Sequence, residues 1–141
     1  MKVVIDNSVV MRWLFNDGSK ADKDYARKVA ELVETHDVHV PALFVAEAAN
    51  VISRALKAQV ISNEDSAACF DLINEMAASI ASPKDTHRVM QLTQRAHEDN
   101  LSAYDASYLL LAENLNCALA TLDKDLRKAA KRRKIAIACL R

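Results

Sequence analysis

The sequence predicts an α/β fold, a three-layer α/β/α sandwich around a short, mostly parallel sheet. Two observations carry this. The runs Lys2–Ile5, Val38–Val40, Ala118–Thr121 and Ile135–Cys139 are short and largely apolar, the pattern of strands buried on both faces. Between them lie longer stretches with apolar residues at helical spacing, so strands and helices alternate and helices cover both faces of the sheet. The 141 residues contain no internal repeat, low-complexity segment or linker, and 1–141 is read as one domain long enough to bury a sizeable core.

The first strand, Lys2–Ile5, stops at Asp6-Asn7-Ser8. Val9–Phe15 is apolar again and holds the only tryptophan, Trp13; Asn16–Lys20, with the only glycine, Gly18, is a turn. Asp22–Glu34 spaces Tyr25, Val29, Leu32 and Val33 as a helix, and the strand Val38–Val40 ends at Pro41. A helix over Ala42–Lys57 carries the stripe Phe44, Ala48, Val51, Ile52, Ala55 and Leu56. Glu47, between Phe44 and Val51, falls within this stripe; it is either paired or metal-bound on a buried face, or at the stripe's edge and reaching solvent. Asn50 follows one turn later.

Ser62–Ala77 is a helix with Ser62 as N-cap, Asp65 three residues on, and Cys69, Phe70, Ile73, Met76 and Ala77 inward. Ser79–Ser82 is a candidate short strand before Pro83. Thr86–Glu98 is a helix with Val89, Leu92, Thr93 and Ala96 inward. The chain is organised around Leu101–Ala112 (LSAYDASYLLLA), the start of a helix from Ser102 to about Leu115 that is apolar on all sides and therefore buried. Its carboxylate, Asp105, three residues after Ser102, reads as a capping box with Asp in place of Glu. The strand Ala118–Thr121 then ends at Leu122-Asp123, a basic helix spans Asp125–Arg133, and Ile135–Cys139 is a last strand.

A single glycine excludes a P-loop and a dinucleotide-binding fingerprint. The net charge of zero makes no bulk case for nucleic acid. Cys69, Cys117 and Cys139 are separated and set in apolar sequence, which predicts buried thiols rather than disulfides. His36, His39, His87 and His97 read as surface or capping residues. Trp13, Tyr104 and Tyr108 read as core or dimer contacts rather than base-stacking platforms. No run approaches membrane-spanning length and no leader pattern opens the chain, so a cytoplasmic protein is expected.

In open α/β sheets ligands bind outside the carboxyl ends of the strands. Asp6 and Asp123 fall at such ends, while Glu47 and Asp105 belong to helices packed nearby. Gathered together, four carboxylates repel one another, and a divalent cation relieves the repulsion. Oxygen ligands suit Mg²⁺ or Mn²⁺ better than Zn²⁺. Such a pocket points to metal-assisted phosphodiester hydrolysis. Ser8 and Thr121, each two residues from an Asp, either orient those carboxylates or make ordinary turn hydrogen bonds. Lys124–Lys134 holds seven Lys or Arg against one acid, Asp125. This run, with Lys124, Arg127 and Lys128 nearest Asp123, is either a nucleic-acid contact or a solvated helix face.

The pieces VVIDNSV, PALFVAEAANVI, LSAYDASYLLLAE and LATLDKDLRKAA follow one another over nearly the whole chain. In that order the chain resembles a PIN domain, and in particular the VapC-type ribonuclease toxins of prokaryotic toxin–antitoxin pairs. The resemblance implies that Asp6, Glu47, Asp105 and Asp123 are the family's catalytic and metal-holding acidic quartet. Ser8 matches its Asp-x-Ser, Thr121 its Thr-x-Asp, and Asn50 a polar position after the glutamate. It also implies a Mg²⁺- or Mn²⁺-dependent endoribonuclease acting on RNA, usually a homodimer, neutralised by an antitoxin protein whose tail enters the acidic groove. Asn7 departs from the smaller residue common after the first Asp, and Lys131–Lys134 stands where a glycine is frequent. Asp125 is an extra acid; the spacing from Thr121 and to Leu126 favours Asp123. Two other classes remain: a non-catalytic RNA- or protein-binding module on the same fold, and a receiver-type phospho-acceptor, disfavoured because Val38–Val40 runs straight into Pro41.

Overall fold

The computed structural model describes residues 1–15, 17–77 and 87–140. Among these, the elements run β1 (Lys2–Ile5), α1 (Asn7–Leu14), α2 (Lys20–Leu32), β2 (Asp37–His39), α3 (Leu43–Lys57), α4 (Asn63–Ala77), α5 (His87–Glu98), α6 (Ala103–Leu115), β3 (Ala118–Ala120) and α7 (Lys124–Arg132). The sheet has the order β2-β1-β3 and is wholly parallel, with Val3 opposite both Val38 and Ala118, and Ile5 opposite Ala120. No described helix is long and apolar enough to cross a membrane.

The central strand divides the core. Val3, Val4 and Ile5 are all inaccessible to solvent. Because side chains alternate along a strand, Val3 and Ile5 pack with Val9, Val29, Phe44, Ile52 and Ile73 from α1 to α4. Val4 turns the other way, onto Tyr108, Leu109, Ala112, Leu126 and Ala129 of α6 and α7. Two helical layers on a three-stranded sheet are the expected sandwich, and α6 is its most buried helix, with Ala106, Tyr108, Leu109 and Ala112 at zero exposure.

Helix ends follow local chemistry. Ser19, Ser62 and Ser102 accept the backbone N–H of Asp22, Asp65 and Asp105 at 3.0–3.1 Å. The Ser19 cap starts α2 two residues before the expected Asp22. Asp65 returns a bond to the Ser62 N–H at 3.3 Å, completing a capping box. Asn116 ends α6 in the left-handed conformation that asparagine tolerates. Val9–Phe15, to which patterning assigned no element, lies mostly in α1.

Several details differ from expectation. Ile135–Cys139 is not a strand; one parallel bridge joins Ile137 to Leu119. Lys134 and Cys139, at φ of 59° and 63°, bend the chain on either side, leaving too short an extended segment for a ladder. Phe70 and Val89, expected inward, are 46% and 70% exposed, and Thr93 is exposed as well. Cys139 is exposed and Cys117 half-buried, whereas Cys69 is buried; all three are free thiols. The candidate strand Ser79–Ser82 lies outside the described residues.

Leu109 has no exposed surface and packs in the α6–α7 layer. Leu109→Ala is expected to lower the unfolding free energy by about 3 kcal/mol in urea titration, with an unchanged m-value.

Candidate active site

Asp6, Glu47, Asp105 and Asp123 line one open cleft of about 380 Å³ at the carboxyl end of the sheet, together with Asn7, Ser8, Met11, Arg12, Asp22 and Leu122. Each acid arrives by a different route. Asp6 is the last residue of the β1 exit and the N-cap position of α1. Asp123 is the N-cap of α7, its Oδ1 accepting the Leu126 N–H at 2.8 Å. Asp105 lies in the first turn of α6, and Glu47 midway along the first half of α3.

Asp6 is the most constrained. Its Oδ2 accepts hydroxyl hydrogen bonds from Ser8 and Thr121, each at 2.7 Å. The Ser8 oxygen in turn accepts the Leu122 N–H, and the Thr121 oxygen the Asp123 N–H, both at 3.0 Å. The backbone N–H of Asp6 donates to the Ala120 carbonyl at 2.8 Å. Ser8 and Thr121 thus both bond one carboxylate, Asp6, and also close turns; neither touches the Asp123 carboxylate.

The sequence makes Tyr108 a core or dimer contact. It is in the core, with no exposed surface, but its hydroxyl donates to Glu47 Oε1 at 2.6 Å. A hydroxyl in an otherwise apolar helix, one turn after Asp105, was the sequence signal for such a bond, because a buried phenol needs a partner. Arg12 and Asp22 were also missed. Arg12 was legible as the lone charge in the apolar run Val9–Phe15, one helical turn after Ser8.

Burial is the largest cause pushing the Asp6, Glu47 and Asp105 carboxyls above their ordinary range. The Asp6 shift is opposed by the Ser8 and Thr121 hydroxyls and the Asn7 backbone, and increased by Asp123. At Glu47 the Tyr108 bond opposes it, while Asp6 and Asp105 add to it. At Asp105 the charges of Asp123 and Asp6 add, Ser102 opposes and Asp125 adds a little. The donor set is oxygen-only and mutually repulsive, which fits a hard divalent cation. Among the described residues no three His, Cys, Asp or Glu side chains stand close enough to enclose an ion by themselves. Carboxylates that share a cleft without closing on one point suit an ion that keeps part of its water shell, as Mg²⁺ does. Asn7 Oδ1 is buried without a hydrogen-bond partner among the described residues.

The remaining candidates divide. Lys124 and Lys128 are exposed on α7, and Lys128 borders a second hollow with Asp99, Asn100, Asp125 and Arg132. Arg127 instead turns inward. Its Nε donates to the Thr121 carbonyl at 2.8 Å and its guanidinium lies 4.6 Å from the Tyr25 ring centroid, so it braces the site rather than facing solvent. Asn50 is exposed and absent from the cleft lining, since its position on α3 falls on the outer face with Ala46 and Ala49.

The PIN domain family model matches residues 3–132. The chain is 32% identical over 123 residues to a VapC ribonuclease of Mycobacterium bovis and to ribonuclease VapC9 of Mycobacterium tuberculosis, covering 86% of this chain and 85% of each relative. Its fold is similar to PAE2754 of Pyrobaculum aerophilum, with TM-score 0.60 and 22% identity over 91% of this chain and 85% of that one. FitAcB of Neisseria gonorrhoeae gives TM-score 0.60 and 18% identity, over 96% and 95%.

Removing the phenol oxygen in Tyr108→Phe is expected to cost about 1–2 kcal/mol of stability and to move the Glu47 carboxyl further upward in an NMR titration. The cleft acids also set a pH dependence. Carboxyls raised by folding favour the folded state while protonated, and that contribution is lost as pH rises through their raised folded-state values. In metal-free buffer at pH 7, Asp105→Asn is therefore expected to melt about 1–3 °C above the wild type. The gap should close below the ordinary carboxylate range.

Proposed function

The chain belongs to the PIN domain family, and from that footing we propose that it is a metal-dependent endoribonuclease, the toxin of a toxin–antitoxin pair. The observation that carries this is the convergence of Asp6, Glu47, Asp105 and Asp123 on one cleft at the carboxyl end of a parallel sheet. The identity to proteins named as VapC ribonucleases supports it.

The four carboxylates would hold Mg²⁺ or Mn²⁺, which supplies charge stabilisation at the phosphate and a more acidic water. The protein's own groups do the rest. Ser8 and Thr121 both donate to Asp6 Oδ2, which fixes that carboxylate against the sheet. Tyr108 holds Glu47 through one oxygen, and the raised carboxyl of Glu47 is suited to take a proton from the attacking water. The water oxygen forms a bond to phosphorus while the P–O bond in line with it breaks, and the leaving oxygen takes up a proton from solvent. Lys124 and Lys128, exposed on the helix that begins at Asp123, hold the RNA backbone. The proposed partners are RNA, a cognate antitoxin that fills the acidic cleft, and a second copy of the chain. The homodimer and the cytoplasmic location are proposed from the family alone.

Thermal unfolding and RNA cleavage, with and without millimolar Mg²⁺ or Mn²⁺, test the reading. Metal at about 100 times its dissociation constant stabilises a folded site by roughly 2.7 kcal/mol. The wild type is expected to gain stability and to cut RNA. Asp105→Asn should lose most of the gain, with cleavage down about 100-fold, equivalent to roughly 3 kcal/mol at the transition state. A wild type that binds RNA but neither responds to metal nor cuts would support the non-catalytic module instead.

A further inference from the structure

A cleft lined by carboxylates repels the polyanion it must admit. Asp6, Asp22, Glu47, Asp105 and Asp123 all line it, and Arg12 is the one cation that lines it among the described residues. A divalent ion neutralises part of this charge, but the approaching phosphate still faces unbalanced acids. Arg12 reaches the cleft from α1, one turn beyond Ser8.

Three features bear on this side chain. The Arg12 guanidinium is held by Asp17, Nη2 to Oδ1 at 3.2 Å, and the Asp17 side chain is 63% exposed. An ion pair with so exposed a partner is weak and readily exchanged. The only glycine of the sequence, Gly18, sits in the left-handed region at φ 93° directly against Arg12. A Cβ there would lie 2.7 Å from Arg12 Nη1 and 3.2 Å from its Cδ, so any side chain at position 18 would displace the arginine. Finally, Arg12 Nε is buried with no acceptor among the described residues.

We infer that Arg12 is the residue that receives an RNA phosphate in the acidic cleft, its guanidinium exchanging Asp17 for non-bridging phosphate oxygens. The planar fork of donors suits two phosphate oxygens at once, which a lysine cannot match. The inference rests on the ribonuclease reading and assigns it a substrate contact on the opposite chain segment from the α7 lysines.

The test uses fluorescence anisotropy with a labelled single-stranded RNA in a Glu47→Gln background that prevents cutting, and cleavage assays with Glu47 intact. Arg12→Gln is expected to weaken RNA binding about 10-fold and to reduce the slope of log affinity against log salt by about 0.7, one phosphate contact on a single strand. Arg12→Lys should restore the slope and only part of the affinity. Metal-induced stabilisation of Arg12→Gln should persist, because the acids are untouched. Unchanged affinity and salt slope in Arg12→Gln, with only a lower melting temperature, would overturn the inference and leave Arg12 as a charge balance for the fold. A wild type that cuts no RNA would overturn the ribonuclease reading first, and this inference with it.

Discussion

One carboxylate oxygen, Asp6 Oδ2, accepts two hydroxyl hydrogen bonds at 2.7 Å, from Ser8 on its own turn and from Thr121 beyond the neighbouring strand. The same two hydroxyl oxygens accept the backbone N–H groups of Leu122 and Asp123. The β1–α1 and β3–α7 turns are thus tied through a single buried charge. Burying that charge is costly, and the hydroxyls are what make it tolerable. The consequence reaches Asp123, whose backbone is held by Thr121 while its carboxylate caps α7. Two of the cleft's acids are therefore positioned by one network.

The other two depend on α6. Its apolar circumference locks it between the sheet and α5, so a carboxylate at its start and a phenol one turn on are rigidly held. Ser102 caps the Asp105 backbone, and Tyr108 reaches across to Glu47 on α3. The helix that stabilises the core thereby joins the two layers at the cleft. Its carboxylates are nevertheless placed where they repel one another. The fold gives up some stability at this point for a concentration of negative charge that a cation can relieve.

The basic run after Asp123 shows the opposite economy. Arg127 braces Thr121 and Tyr25, while Arg132 and Arg133 engage buried Asp99 at the end of α5. Cations that look like one patch in the sequence are divided by helical phase into internal ties and exposed lysines. Asp99 itself is nearly inaccessible, so its pairing with Arg133 is part of how α7 is seated against α5.

Hydrophobic periodicity and capping are local, and they made most elements legible: the β-branched β1, the uniformly apolar α6, the Ser62–Asp65 box. The acids stood out because carboxylates in apolar company need a reason to be there. Patterning erred where an apolar residue stays exposed, as at Phe70 and Val89, and where backbone bends at Lys134 and Cys139 broke an apolar run. By itself the sequence determined the alternation of strands and helices and the central helix, and it singled out Asp6, Glu47, Asp105 and Asp123, but not Asp22, among the acids that line the cleft. Only the tertiary structure decided that Thr121 bonds Asp6 across 115 residues, that Tyr108 holds Glu47 across 61, that Arg127 turns inward and that Arg12 faces the cleft. The reason is physical: periodicity and caps are set by neighbours within a turn or two, whereas a hydrogen bond between distant segments exists only once the sheet has brought its strand ends together.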